Sequence, residues 1–219
     1  MNEADLEPVY AELKLVLPLP QAGKHPFVVS WPRLPNFKGR DASLIELHNK
    51  LVGDGGVGVN LVGLHGMGGL GKTQLAVEYA HRYRFHYPAG VFWINAGADW
   101  RKEFAACAKR IGLIASDGQD PDERLILQFE AKLKASEEKL LIIMDNVNDP
   151  ALIEKFEIAP KLTVKHLCEL PRTRLLVTTR IQMMPRGFET IAIDVLKPED
   201  AREVLFEPWH TGRRAPHRP

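Results

Sequence analysis

Apolar positions along the chain fall into two kinds of spacing. Five short runs are nearly continuous: Val59-Asn60-Leu61-Val62-Gly63-Leu64, Val91-Phe92-Trp93-Ile94-Asn95-Ala96, Leu140-Leu141-Ile142-Ile143-Met144, Arg174-Leu175-Leu176-Val177-Thr178-Thr179 and Thr190-Ile191-Ala192-Ile193. Each has the length of a strand and too few polar residues for a wet face, so each predicts a buried strand. Between them the spacing is helical. Leu44, Leu47 and Leu51 predict a helix over 41–51 with Asp41 as its cap. Leu75, Ala76, Tyr79, Ala80 and Tyr83 share one face of a helix that starts near Lys72 and is finished before Pro88. Asp99 predicts a cap for a helix through about Ile111, and Asp122 a start for one carrying Leu125, Ile126, Phe129 and Leu133. A short helix is expected over Asp149–Phe156, and a last one from Pro198 to about Phe206. Strands that alternate with helices predict an α/β fold, a parallel β-sheet with helices on both faces.

The two ends lack this pattern. Residues 1–34 contain Pro8, Pro18, Pro20, Pro26 and Pro32, which break any long helix, and they read as a leader or linker with a short strand around Leu13, Leu15 and Leu17. Residues 35–195 carry the alternating pattern and form the expected domain. Residues 196–219 hold the last helix and an aperiodic basic tail expected to be disordered. Gly53 to Gly58 reads as a loop before the first strand of the domain.

Chemistry enters at the turn after that strand. Gly66-Met67-Gly68-Gly69-Leu70-Gly71-Lys72-Thr73 spells G-x-x-x-x-G-K-[ST], the phosphate-binding loop of P-loop NTPases. Gly66, Gly68, Gly69, Leu70 and Gly71 would turn backbone N–H groups toward phosphate oxygens, with Gln74 following on the helix. Lys72 would face the β- and γ-phosphates, and the Thr73 hydroxyl would ligate Mg²⁺. The flanking strand and helix are the context that this motif requires. A second metal ligand is expected at the tip of a neighbouring strand, and Asp145 supplies a carboxylate there, 73 positions after Lys72 (145 − 72). Catalysis would need a base beside it. Asn146 can orient water but cannot take its proton, Asp149 is the nearest substitute, and Glu78 is a weaker candidate. Arg180, closing Thr178-Thr179-Arg180 at another strand tip, would reach a γ-phosphate. Gly39 and Arg40 are candidates for the adenine or ribose side. Trp93, Trp100, Tyr79 and Tyr83 read as packing, and the five-residue spacing of His81 and His86 as a poor metal site.

Composition narrows the classes. Hydrophobic residues are 45% and charged ones 26% of 219, a globular profile with enough length for a sizeable core. A net charge of +1 gives no bulk pull toward nucleic acid, and no apolar run is long enough to span a membrane. The acidic N-terminus lacks a signal peptide's basic start. Cys107 and Cys168 have no pairing or metal spacing and fit the reduced thiols of a cytoplasmic protein.

Together these pieces resemble the NB-ARC branch of the STAND class of ATPases over about residues 34–206. Leu64-His65-Gly66-Met67-Gly68-Gly69-Leu70-Gly71-Lys72-Thr73-Gln74-Leu75-Ala76 is similar to the family's G-M-G-G-[LVI]-G-K-T-x-L-A loop. Asn36-Phe37-Lys38-Gly39-Arg40 resembles its opening motif at the nucleotide base, Tyr87 to Ala96 the next strand of repeat-fused members, Leu140 to Asn146 its Walker B position, and Thr173 to Arg180 its sensor strand. Leu196 to Ala201 resembles the start of its small helical domain. The resemblance implies a switch that binds ATP or ADP with Mg²⁺, ADP holding a closed state and ATP an open, oligomerising one. Protein partners or self-association would come through repeats beyond this chain. Asn146 stands where the family often has a second acid, so hydrolysis is expected to be slow or absent. The family's G-L-P motif and the winged-helix His that clamps ADP do not occur in these 219 residues, so the chain reads as truncated or isolated, with weak binding and poor switching. Two other functions fit the same motifs: a phosphotransferase such as a small-molecule kinase, and a scaffold remnant independent of nucleotide.

Overall fold

The computed structural model describes residues 25–53, 60–115, 120–148, 157–159, 162–163, 172–182 and 187–206. Asp149, the helix expected over 149–156, the strand around 13–17, Cys168, most of the 53–58 loop and the tail beyond 206 lie outside the described residues.

Six strands form one parallel sheet: β1 (Phe27–Val28), β2 (Asn60–His65), β3 (Gly90–Asn95), β4 (Leu140–Asp145), β7 (Thr173–Thr179) and β8 (Phe188–Ala192). Their spatial order is β1-β3-β4-β7-β2-β8. A separate antiparallel pair, β5 (Glu157–Ala159) and β6 (Leu162–Thr163), has no counterpart in the sequence reading. Among the described residues five α-helices accompany the strands: α1 (Asp41–Val52), α2 (Lys72–Tyr83), α3 (Trp100–Arg110), α4 (Pro121–Lys134) and α5 (Pro198–Phe206).

Alternation along each strand feeds two cores. Leu141 and Ile143 of β4 pack with Leu44, Leu47 and Leu51 of α1 and Leu75 and Tyr79 of α2. Leu140, Ile142 and Met144 face the other way, with Phe104 of α3 and Leu125, Ile126 and Phe129 of α4. Helices therefore cover both faces, as a parallel sheet with nearly all-apolar strands requires. Trp93 is 2% exposed within the first core, which agrees with its reading as packing. Among the described residues no helix is long and apolar enough to cross a membrane.

Three boundaries differ from expectation. Phe27–Val28, placed in the leader, pairs with β3 as the edge strand of the sheet. Asp41 is the first residue of α1 and not its cap: Arg40 holds the cap position without a side-chain cap bond, and the Asp41 carboxylate accepts from Arg82 Nη1 at 2.8 Å. The cap of α4 is Asp120, which accepts from Glu123 N at 3.0 Å, and Pro121 takes the first helical turn, where its missing N–H costs nothing. Asp99 caps α3 as expected, accepting from Lys102 N at 3.5 Å.

Candidate functional site

β2 ends at His65 and α2 starts at Lys72, so Gly66–Gly71 is the turn that joins them. Gly69 and Gly71 have φ of 81° and 89°, and no atom lies within 4 Å of where a Cβ would stand on either. Backbone conformation, not crowding, is what demands glycine there. Lys72 is 9% exposed and donates from Nζ to the carbonyls of Gly66 at 2.8 Å and Met67 at 2.7 Å. Burial lowers its pKa from the usual lysine value, the Arg180 guanidinium lowers it further, and the Asp145 carboxylate acts in the opposite sense. Two cations against one carboxylate leave the turn favourable to an anion, beside the positive end of α2.

Strand order explains how the other groups arrive. β7 lies between β2 and β4, so its tip falls between the phosphate loop and Asp145. Thr73, on the second residue of α2, donates from Oγ1 to Asp145 Oδ1 at 2.9 Å across that gap. The same Oδ1 accepts from Thr178 Oγ1 at 2.5 Å, and Thr178 Oγ1 accepts from Asn146 N at 2.9 Å. Thr178 thus fixes both the carboxylate and the backbone that follows it. In the sequence Thr178 stands out only as part of a strand tip; the signal for its role is a polar residue closing the apolar run Leu175-Leu176-Val177. A hydroxyl and a carboxylate in contact are hard oxygen donors, the kind that Mg²⁺ takes from protein while keeping waters and phosphate oxygens. Thr73 and Asp145 therefore fit Mg²⁺. Among the described residues no group of three or more His, Cys, Asp or Glu comes together as a metal cluster.

A cleft of about 270 Å³ gathers Gly68, Lys72, Thr73, Gln74, Asn146 and Arg180. Arg180 is exposed at the tip of β7, with its Cζ 3.4 Å from where a Cβ on Gly68 would stand. Asn146 is exposed at the rim with φ 66°, and its Oδ1 accepts from Asn148 Nδ2 at 2.7 Å. No carboxylate takes that place among the described residues lining the cleft. Glu78 is not a base here. It is 1% exposed, lies away from the cleft lining and accepts from Arg33 and Arg82.

A second hollow of about 440 Å³ adjoins the first, and Gly69, Gly71 and Gln74 line both. Its walls are largely apolar, with Leu34, Phe37, Leu70, Leu196 and Val204. Arg40 reaches it and donates from Nη2 to Leu70 O at 3.2 Å and Asp194 O at 2.5 Å, tying the loop to the exit of β8. Gly39 does not line the hollow. With φ 72° it presses against α5, and a Cβ there would stand 2.5 Å from Asp200 Cβ. The structure therefore brings Gly68, Gly69, Gly71, Lys72, Thr73, Gln74, Asn146 and Arg180 to one cleft, with Asp145 bonded to Thr73 and Gly66 accepting from Lys72; Arg40 and Leu70 line the second hollow, and Gly39 is a packing contact.

Comparison with known proteins gives concordant matches. The NB-ARC domain family pattern matches residues 40–209. The regulatory protein AfsR of Streptomyces griseus is 31% identical over 180 residues, 78% of this chain and 17% of that protein. AfsR of Streptomyces coelicolor is 29% identical over 178 residues, 76% of this chain and again 17% of the relative. The chain thus spans about a sixth of the length of these curated relatives. A Signal Transduction ATPase with Numerous Domains (STAND) protein with a tetratricopeptide repeat sensor, from Pyrococcus horikoshii, is similar with a TM-score of 0.46 at 21% identity, over 80% of this chain and 26% of that one. The ORC2 protein of Aeropyrum pernix, solved in ADPNP–ADP complexes, has a TM-score of 0.45 at 17% identity, over 79% and 50% of the two chains.

Proposed function

The chain belongs to the NB-ARC family, and from that premise we propose that it is the ATP/ADP-binding regulatory switch module of a larger signalling NTPase, Mg²⁺-dependent and with slow or absent hydrolysis. Its fold is the α/β fold of P-loop NTPases. The observation that carries the proposal is the contact of Thr73 Oγ1 with Asp145 Oδ1 at 2.9 Å, beneath a lysine already curled onto its loop. A glycine-rich turn with a solvated lysine would bring no buried carboxylate to the next residue.

Within this reading, Lys72 gives up two carbonyl contacts for phosphate oxygens, and Arg180 approaches the last phosphate from the tip of β7. Thr73 and Asp145 would hold Mg²⁺, whose charge would neutralise phosphate oxygens. The apolar hollow receives the base. Asn146 orients water without taking its proton, which supports binding over turnover. Residues 196–206 begin a helical subdomain, and the module works in the cytoplasm. The relatives are named as regulators, which supports a role in regulation, with protein partners or self-association as the output.

Thermal-shift titration tests the proposal. A ligand at a hundred times its Kd stabilises a native state by about 2.7 kcal/mol. For a domain this size that is roughly 5–10 °C in melting temperature. Mg-ADP and Mg-ATP are expected to give such shifts, and Lys72→Ala to remove most of them. An equal shift in the variant would refute the assigned role of Lys72, and no shift in the parent chain would favour the scaffold reading.

A further inference from the structure

The family match begins at residue 40, yet the fold begins earlier. Residues 25–39 form a strap. It starts as β1 at the sheet edge, where Pro26 O accepts from Val91 N at 2.9 Å. It then crosses the outer side of α2. The ring of Phe27 meets that of His81 edge-on at 4.9 Å, and His81 Nε2 lies 3.3 Å from Trp31 O. Arg33 grips Glu78 with a fork, Nε to Oε2 at 2.9 Å and Nη2 to Oε1 at 2.7 Å. The next residues, Leu34 and Phe37, are walls of the apolar hollow.

Glu78 is the hub of this arrangement. Its carboxylate also accepts from Arg82 Nε at 2.5 Å. Arg82 sits over the Phe37 ring at 5.8 Å and donates to Asp41, beside Arg40. One buried acid on the helix of the phosphate loop thus fixes two arginines. One arginine precedes Leu34 in the chain, and the other lies over Phe37. Both residues face the base side of the site, and neither arginine lines the phosphate cleft.

From this geometry we propose that Arg33 and Glu78 are positioning residues that set the wall of the base hollow, so that the strap ahead of the family domain is part of the nucleotide site. The inference rests on the proposed function and extends it to residues that no phosphate motif marks. Because coupling is reciprocal, a base bound against Leu34 and Phe37 tightens the strap, and a loosened strap weakens the base. Phosphate affinity, set by the loop, stays apart from it.

That separation supplies the test. Affinities for Mg-ADP and for Mg-pyrophosphate, which lacks base and ribose, are measured on the 219-residue chain as parent, Arg33→Met, Arg33→Lys and Lys72→Ala. Arg33 is half exposed, and Glu78 keeps Arg82, so the methionine variant is expected to fold; melting without ligand checks this. Arg33→Met is expected to weaken ADP at least about fivefold and leave pyrophosphate within about twofold. Arg33→Lys keeps the charge without the fork and falls between parent and methionine. Lys72→Ala weakens both ligands. If Arg33→Met alters neither affinity, or both alike, the positioning role is wrong while the phosphate site stands. If the parent binds neither ligand, the nucleotide reading itself fails and the strap's role fails with it.

Discussion

Asn146 occupies a left-handed backbone position, φ 66°, that asparagine and aspartate tolerate better than other side chains. Asn146→Asp therefore changes chemistry with little backbone cost, placing a proton acceptor at the rim of the phosphate cleft. ATP turnover is expected to rise by on the order of a hundredfold, the lower end of what a positioned base contributes, with ADP affinity nearly unchanged. Steady-state phosphate release measures it, and an unchanged rate would show that a carboxylate at position 146 does not act as the base. Thr178 leads to a companion expectation. Thr178→Val removes the hydroxyl that orients Asp145 and should reduce the gain in ADP affinity on adding Mg²⁺, whereas Thr178→Ser should retain it; isothermal titration with and without the metal decides. At this scale the phosphate loop was legible because its chemistry lies within eight consecutive residues. Thr178 was not, because its partner Asp145 is 33 positions away and only the strand order makes them neighbours.

Between elements, α1 and α2 meet through a cluster of rings. His48 stacks on Tyr83 at 4.1 Å, meets His86 edge-on at 4.7 Å and places Nδ1 3.2 Å from the Tyr79 hydroxyl, which lies 2.6 Å from that of Tyr87. Burial, then His86 and Lys139, push the pKa of His48 down from 6.5 to about 4. His86 is lowered too, by burial and Lys139. The folded chain resists the protonated ring, so the unfolded chain binds more protons between those two values. The contribution of His48 is whole above pH 6.5 and is lost as the pH falls toward 4. Urea midpoints at pH 7 and pH 5 should differ more in the parent than in His48→Gln; equal differences would remove His48 from the account. The sequence showed α1 and α2 by their leucine and tyrosine spacing. It misplaced two starts because the side chains near them have competing partners. Asp41 is drawn to Arg82, and Pro121 moves the cap of α4 back to Asp120.

For the molecule as a whole, one described contact of α5 with the rest of the domain is its close approach to Gly39. A Cβ at Gly39 would meet Asp200 and would need a left-handed φ, so Gly39→Ala must move α5 or strain the turn. The expected cost is about 1–3 kcal/mol, a fall of roughly 2–10 °C in melting temperature. Calorimetry that found no fall would mean that the contact is not maintained in solution. The sheet with helices on both faces was legible from five apolar runs, each long enough to declare itself. β1 escaped because two residues among prolines carry no periodicity. Strand order has one more consequence, for the birth of the protein. β2 pairs only with β7 and β8, and β7 starts 108 residues after β2 ends (173 − 65). On the ribosome, at 5–20 residues per second, the apolar edge of β2 waits roughly 5–20 seconds for its first partner to be synthesised. Until then residues 60–65 are an unpaired strand edge, the kind of surface that chaperones shield.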